Sequence, residues 1–131
     1  MGSLLPSART IDIKLEIFGE TSCIRWHQDS YVSRAIVSYT GQAGTEYTSA
    51  ENVDFWELEN GGDNIIKDES KVCAVATGDF FLMKGKSYPQ GANGIVHKSP
   101  ENCYHEDGRV VNRLILKVDV PELRDWEFDY S

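Results

Sequence analysis

Apolar and polar residues alternate along several short stretches of the chain. The clearest stretch is IDIKLEIF at residues 11–18, where Ile11, Ile13, Leu15 and Ile17 fall on one face and charged residues fall on the other. A period of two residues is typical of a half-buried strand. The pattern therefore predicts a strand whose isoleucine and leucine face packs on the core.

Other stretches rich in β-branched and aromatic residues also indicate strands. They lie at residues 22–27, 32–40, 71–76, 80–85, 94–98 and 109–120. A single short helix is predicted within residues 49–63, with Ser49 as its N-cap and two glycines as its end. Short strands at close spacing with one small helix predict an all-β fold, a sandwich or barrel. Residues 1–131 are expected to form one domain, with a loose leader at 1–10 and an acidic tail at 121–131.

The charge balance narrows the possible partners. The 131 residues carry 13 Lys and Arg against 21 Asp and Glu, a formal charge of −8. Such a surface repels nucleic-acid backbones and anionic membranes, so neither is an expected partner. The three cysteines form no CxxC pair, and no apolar stretch is long enough to span a bilayer. These features predict a cytoplasmic location, since thiols stay reduced there.

The segment RWHQD at residues 25–29 carries the first candidate chemistry. His27 and Asp29 are two residues apart, so in a strand their side chains share a face. His97 follows in a short apolar strand. Two imidazoles and one carboxylate form the facial triad of non-haem Fe(II) sites, which leaves coordination positions open for a co-substrate and oxygen. Taken singly, each histidine is better explained as an imidazole that only bonds backbone groups, and it is the order of the candidate residues along the chain that favours a metal site.

A second pair of the same kind, His105 and Asp107, lies in a polar loop and remains an alternative. An enzyme with this triad also needs a positively charged side chain in a fixed position to bind the carboxylate of the co-substrate. Arg113 is the candidate, because its planar fork binds carboxylates through two bonds. In its strand Arg113, Ile115 and Lys117 share one face, and the opposite, apolar face is expected to pack on the core. Lys84 is the rival cation.

The order of these features matches the double-stranded β-helix of iron and 2-oxoglutarate oxygenases. The runs that carry a more specific resemblance are RWHQDSYVSRAIVSYTGQAGTEY, NVDFWELENGGDN, GDFFLMKGKSYP, GIVHKSP and RLILKVDV, which together span residues 25–120. They resemble a family of uncharacterised, mostly bacterial proteins known as a domain of unknown function and cupin-like in fold. The resemblance implies a compact jelly-roll with a metal pocket. The chain departs from that pattern in having no long helical N-terminal region.

Three further residues are candidates for contact with substrate. They are Arg34, Thr45 and Glu46. Each also has a structural interpretation. Arg34 could form a buried salt bridge with Glu46, and Thr45 and Glu46 could cap the glycine turn that precedes them.

The sequence therefore favours an Fe(II)- and 2-oxoglutarate-dependent oxygenase acting on a small molecule or a peptide side chain. In this hypothesis His27, Asp29 and His97 bind the metal and Arg113 binds 2-oxoglutarate. Two alternatives remain open. One is a metal- or ligand-binding cupin without oxygenase activity, and the other is a Zn or Mn cupin that acts as a hydrolase or isomerase.

Overall fold

A computed structural model describes residues 10–19, 24–41, 44–88 and 94–121. Most of the leader at 1–10, most of the tail at 121–131 and the start of the strand predicted at 22–27 lie outside these ranges. No helix within them is long and apolar enough to cross a membrane.

Seven strands and one α-helix make up the described fold. The strands are β1 (Asp12–Phe18), β2 (Ser33–Ser38), β3 (Glu46–Thr48), β4 (Cys73–Ala74), β5 (Phe80–Lys84), β6 (Val96–Lys98) and β7 (Arg113–Val120), and the helix is α1 (Phe55–Glu59). Single 3₁₀ turns cover Ala50–Asn52 and Glu69–Lys71. The prediction of a mainly-β fold with one short helix is confirmed.

The strands form two antiparallel sheets. The larger has the order β1-β7-β2-β5 and the smaller has the order β4-β3-β6. Pairings among the described strands do not join the two sheets into a closed barrel. The double-stranded β-helix therefore stays a prediction.

Several element boundaries differ from those predicted. The helix begins after Asp54, whose carboxylate accepts bonds from the backbone N–H groups of Trp56 and Glu57, whereas Ser49 makes no side-chain cap. The prediction of Ser49 as the helix cap is wrong because a 3₁₀ turn separates it from the helix. Strand β3 was missed, since it is only three residues long and follows a glycine turn.

The most important difference concerns β1. Ile13, Leu15 and Ile17 are 70%, 65% and 70% exposed, so the apolar face of this strand points outward and the predicted burial is wrong. β1 pairs with β7, and the inner face of β7 carries Arg113 and Lys117. The larger sheet thus turns its charged face inward and its apolar face outward.

Two apolar clusters hold the sheets. The first contains Ile36, Met83 and Ile115 on the inner face of the larger sheet, together with Phe18 and Phe81. The second is formed by the smaller sheet, α1 and the segments beside it, and consists of Val53, Ile65 and Val96 with Trp26, Phe55, Leu58 and Ile66. The ring centroids of Tyr47 in β3 and Phe81 in β5 are 4.7 Å apart. This contact joins the two sheets.

The loop between His27 and β2 is held by the turn after β5. Gly85 donates to the carbonyl of Val32 at 2.8 Å, and Lys86 donates to the carbonyl of Asp29 at 3.0 Å. A Cβ on Gly85 would overlap the carbonyl oxygen of Tyr31 and lie 3.2 Å from that of Asp29. Glycine is therefore required for the loop that carries Asp29 to lie this close.

We expect Gly85→Ala to lower the free energy of unfolding by about 1–3 kcal/mol, the usual cost of forcing extra volume into a packed site. Chemical denaturation measures the change. Gly19→Ala is the matched control, because its added Cβ would meet side chains and no backbone: the end of the exposed Asn112 at 3.0 Å and Cγ1 of Val110 at an ordinary contact distance of 3.5 Å. Equal stability of the two variants would contradict the close approach at Gly85.

Candidate metal centre

His27 and His97 are joined directly through their backbones. The N–H of each residue donates to the carbonyl of the other at 3.0 Å, so they form one hydrogen-bonded antiparallel pair. Side chains of such a pair lie side by side on one face, and the two ring centroids are 4.5 Å apart. Two imidazoles that are 70 positions apart in sequence are thereby neighbours.

Alternation along β6 explains why His97 faces this site. Val96 is 2% exposed and packs in the second apolar cluster, so the next residue must point to the opposite side. Lys98 returns to the side of Val96, where its ammonium lies 5.1 Å from the ring of Trp26. His97 itself is only 4% exposed.

Both imidazoles are oriented by the same local contact. Nδ1 of His27 bonds the carbonyl of Arg25 at 2.7 Å, and Nδ1 of His97 bonds the carbonyl of Ile95 at 3.0 Å. A carbonyl only accepts, so each Nδ1 carries the proton. In a neutral imidazole Nε2 then has a lone pair, the form that binds metals.

Asp29 completes a group of converging lone pairs. Its Oδ1 is 3.6 Å from Nε2 of His27, and its Oδ2 is 3.3 Å from Nε2 of His97. Oδ2 is buried and has no hydrogen-bond donor among the residues that the structure describes. Acceptors facing one another repel unless a proton or a cation lies between them. The group formed by His27, Asp29 and His97 could therefore hold a metal ion, and one ligand atom from each lies within 4.8 Å of the others.

The spacing also fits a metal. Two ligand atoms about 2.1 Å from one ion are about 3.0 Å apart at octahedral angles and about 3.4 Å apart at tetrahedral angles. The observed 3.3 and 3.6 Å between the nitrogens and the carboxylate oxygens are close to these values. The widest pair in the group is up to 4.8 Å apart and would have to close by about 1–2 Å for all three groups to share one ion at these angles.

Asp29 lies next to a buried ion pair formed by Arg34 and Asp119. Arg34 donates to both carboxylate oxygens of Asp119 at 2.7 and 3.0 Å, and its Nη1 lies 3.4 Å from Oδ2 of Asp29. Burial raises the pKa of Asp29, but His97 in its protonated form, the charge of Arg34 and protonated His27 outweigh burial and lower the pKa below its ordinary value. Asp29 is therefore a carboxylate at neutral pH.

A cavity of about 90 Å³ adjoins the two histidines, between the sheets. Three cations line it, and they are Arg34, Arg113 and Lys117. Arg34 is bound by Asp119, and Nζ of Lys117 lies 3.6 Å from a carboxylate oxygen of Glu16.

Arg113 has no such partner. It is 8% exposed, and within the described ranges its buried Nη2 has no hydrogen-bond acceptor. Its guanidinium carbon lies 5.8 Å from the ring centre of Phe18, and burial lowers the pKa of Arg113. A guanidinium remains charged in proteins. Among the described residues it forms no ion pair with a carboxylate, and the only influence that opposes burial comes from Cys103, which raises the pKa of Arg113.

The other predicted site residues divide into two sets. Thr45 is buried and lines the cavity together with Arg34. Glu46 instead faces Lys98, at 3.7 Å, and not Arg34. Lys84 is exposed on the far side of the larger sheet, where its ammonium lies 4.8 Å from the ring of Tyr88.

The alternative pair at the polar loop lies apart from this centre. His105 and Asp107 are exposed in a turn, and Asp107 bonds Arg109 at 2.6 Å. Within the described residues, the ligand group found by geometry does not include either of them.

Sequence reasoning did not single out Lys117 and Asp119 as site residues. The signal was present in the alternation of β7, because both share a face with Arg113. Their partners lie on other strands and could not be paired from the sequence.

The fold and this site define a mainly-β protein with a candidate His₂–carboxylate metal centre beside a cationic cavity. Residues 2–119 match a family described as protein of unknown function (DUF1826), and the chain belongs to that family. Searches of curated proteins and of solved structures give no match.

We expect the double substitution His27→Ala with Asp29→Ala to abolish binding of Mn(II), because it removes two of three ligands. Calorimetric titration at neutral pH measures it. The fold should persist, since neither side chain belongs to an apolar cluster. His105→Ala with Asp107→Ala is the matched control and should bind as the wild type does. Loss of binding in the control alone would move the site to the polar loop.

Proposed function

We propose that this protein is an Fe(II)- and 2-oxoglutarate-dependent oxygenase of a small molecule or a peptide side chain, with a double-stranded β-helix fold. The single observation that carries the proposal is Arg113, a buried guanidinium in the cavity beside the candidate metal ligands, whose Nη2 has no hydrogen-bond acceptor among the described residues. A metal centre alone gives no reason for that cation. A co-substrate that carries a carboxylate does.

His27, Asp29 and His97 would hold the metal, which when bound would supply the activation of oxygen that side chains cannot provide. The chain's own contribution is orientation. The carbonyls of Arg25 and Ile95 fix both imidazoles with Nε2 toward the site. Such bonds raise the basicity of a ligand and prevent its rotation.

Arg113 would bind the carboxylate of 2-oxoglutarate that lies away from the metal. Its fork can donate two parallel bonds, and the hydroxyl-bearing Thr45 and Ser99 also line the cavity. The site is desolvated, so a carboxylate there would be held more strongly than at the surface. Leaving the guanidinium unpaired is costly, and this favours a ligand that neutralises it.

The charge balance of the site supports a dianion. Arg34, Arg113 and Lys117 are offset by the carboxylates of Asp29, Asp119 and Glu16, three positive charges against three negative. A divalent metal would add two uncompensated positive charges. A dicarboxylate such as 2-oxoglutarate restores neutrality, whereas a neutral ligand does not.

One side of the site is open to substrate. The side chain of His27 is 34% exposed, while that of His97 is 5% exposed. Substrate would approach past His27, and the apolar walls formed by Phe18, Met83 and Ile115 would keep water from the opposite side.

A second candidate function is metal and anion binding without turnover. The cavity of about 90 Å³ favours it. This volume is smaller than the roughly 150 Å³ of an apolar cavity that accepts benzene. A small anion would fit as it stands, whereas 2-oxoglutarate would have to extend toward the open side at His27.

Turnover separates the two functions. We expect the protein with Fe(II) and oxygen to convert 2-oxoglutarate to succinate, slowly without substrate, as measured by chromatography of the organic acids. His27→Ala with Asp29→Ala is the control and should form no succinate. Metal binding without any succinate, also in the presence of a panel of candidate substrates, would favour the binding function.

We expect Arg113→Lys to raise the dissociation constant of 2-oxoglutarate about tenfold to hundredfold, since one charge-assisted bond is worth roughly 1.5–3 kcal/mol. Titration with 2-oxoglutarate in the presence of Mn(II) measures it. Affinity for Mn(II) itself should barely change, because Arg113 is not a ligand.

Lys84→Met is the matched control for Arg113→Lys. It removes an exposed cation that does not line the cavity, so its 2-oxoglutarate affinity should equal that of the wild type. A large loss in Lys84→Met with none in Arg113→Lys would transfer the carboxylate site to Lys84.

A further inference from the structure

The outward side of the larger sheet is apolar over most of its four strands. The register places Ile13, Val118, Ala35 and Leu82 in one row and Leu15, Leu116, Val37 and Phe80 in the next. Ile17 and Leu114 begin a third row. We call these ten residues the outer face. The next row, Val120, Ser33 and Lys84, ends the apolar surface, so that Lys84 is a charged residue at its edge.

Much of the outer face is exposed. Leu15 and Phe80 are 65% exposed and Leu82 is 42% exposed, while Ile13 and Ile17 reach 70%. Monomers rarely expose contiguous apolar patches of more than a few hundred Å², and larger patches mark interaction sites.

The charge of the protein restricts what can cover this face. A net charge of −8 makes two copies repel each other over most of their surfaces. The outer face is the exception, because two copies that meet there bring no like charges together. Apolar, self-complementary patches of this kind are what a twofold dimer needs.

The area is also of the right order. A large apolar side chain offers roughly 100–150 Å². Five such side chains at the exposures given above, with smaller contributions from Leu114, Leu116 and Val118, amount to roughly 350–600 Å², which is about half to three-quarters of the roughly 800 Å² that each partner contributes to a standard interface.

We propose that the outer face is the interface of a homodimer, in which the larger sheets of two copies of this chain pack face to face. The apolar rows of one sheet interdigitate with those of the other, as in sandwich cores, where stacked sheets lie about 10 Å apart. The metal site lies on the opposite side of the sheet and stays open to ligands in the dimer.

Sedimentation velocity over a concentration series tests the interface. The wild-type chain should sediment as a dimer of twice 14.7 kDa. Leu15→Lys should sediment as a monomer, with a dissociation constant at least about a hundredfold higher, because the twofold axis places two unpaired charges in the interface. Leu82→Lys, on the opposite edge strand, should behave in the same way. Folding of both variants is checked by circular dichroism and Mn(II) binding, which should match the wild type.

Trp56→Lys is the matched control. Trp56 is also a large apolar residue at 69% exposure, but it lies on α1 and not on the outer face, so this variant should remain a dimer. A wild-type chain that stays monomeric at every concentration overturns the proposal. So does a dimer that survives both Leu15→Lys and Leu82→Lys, or one that Trp56→Lys dissociates equally.

Discussion

The reciprocal backbone bonds between His27 and His97 are the interaction on which the site depends. Two N–H···O contacts of 3.0 Å fix the distance between two chain segments and, with it, the distance between two imidazoles. Neither ring could be placed so well by its own rotamers alone. Asp29 follows two residues later, and the turn at Gly85 holds its loop against the end of β5. The candidate centre is thus built on backbone pairing, and side chains only complete it.

Sequence reasoning reached the mainly-β class because the strands are short, close together and rich in β-branched residues. It also brought out His27, Asp29 and His97, since residue type and a two-residue spacing are local signals. Arg113 was found by the same means. That His27 and His97 lie close together could be proposed only from their order along the chain. The distance and orientation of the two rings could be read only from the three-dimensional structure.

The failures have one physical cause. Alternation shows that two faces of a strand differ, but it does not show which face is inside. The usual rule puts the apolar face on the core, and for β1 that rule fails because the inner face of the neighbouring β7 carries Arg113 and Lys117. Likewise, the partner of Arg34 was sought in Glu46 and is Asp119, which lies 85 residues away and pairs across strands. Long-range register is not a local property.

The larger sheet, whose charged face lies inward, also needs an interaction that fixes the register of its strands. A slip of one residue between β2 and β7 would exchange the two faces of β2, so that Arg34 and Ile36 would turn outward and Ala35 and Val37 inward. Loss of Ile36 from the first apolar cluster is one cost of that slip. Arg34 and Asp119 oppose it, because they are direct partners in the register and Asp119 is 2% exposed. Slipped by one position, Asp119 would face Ser33 or Ala35 and remain a buried charge without a partner, at a cost of several kcal/mol. The ion pair of Arg34 and Asp119, which lies next to the candidate metal ligand Asp29, therefore also keeps the charged face of the sheet turned inward.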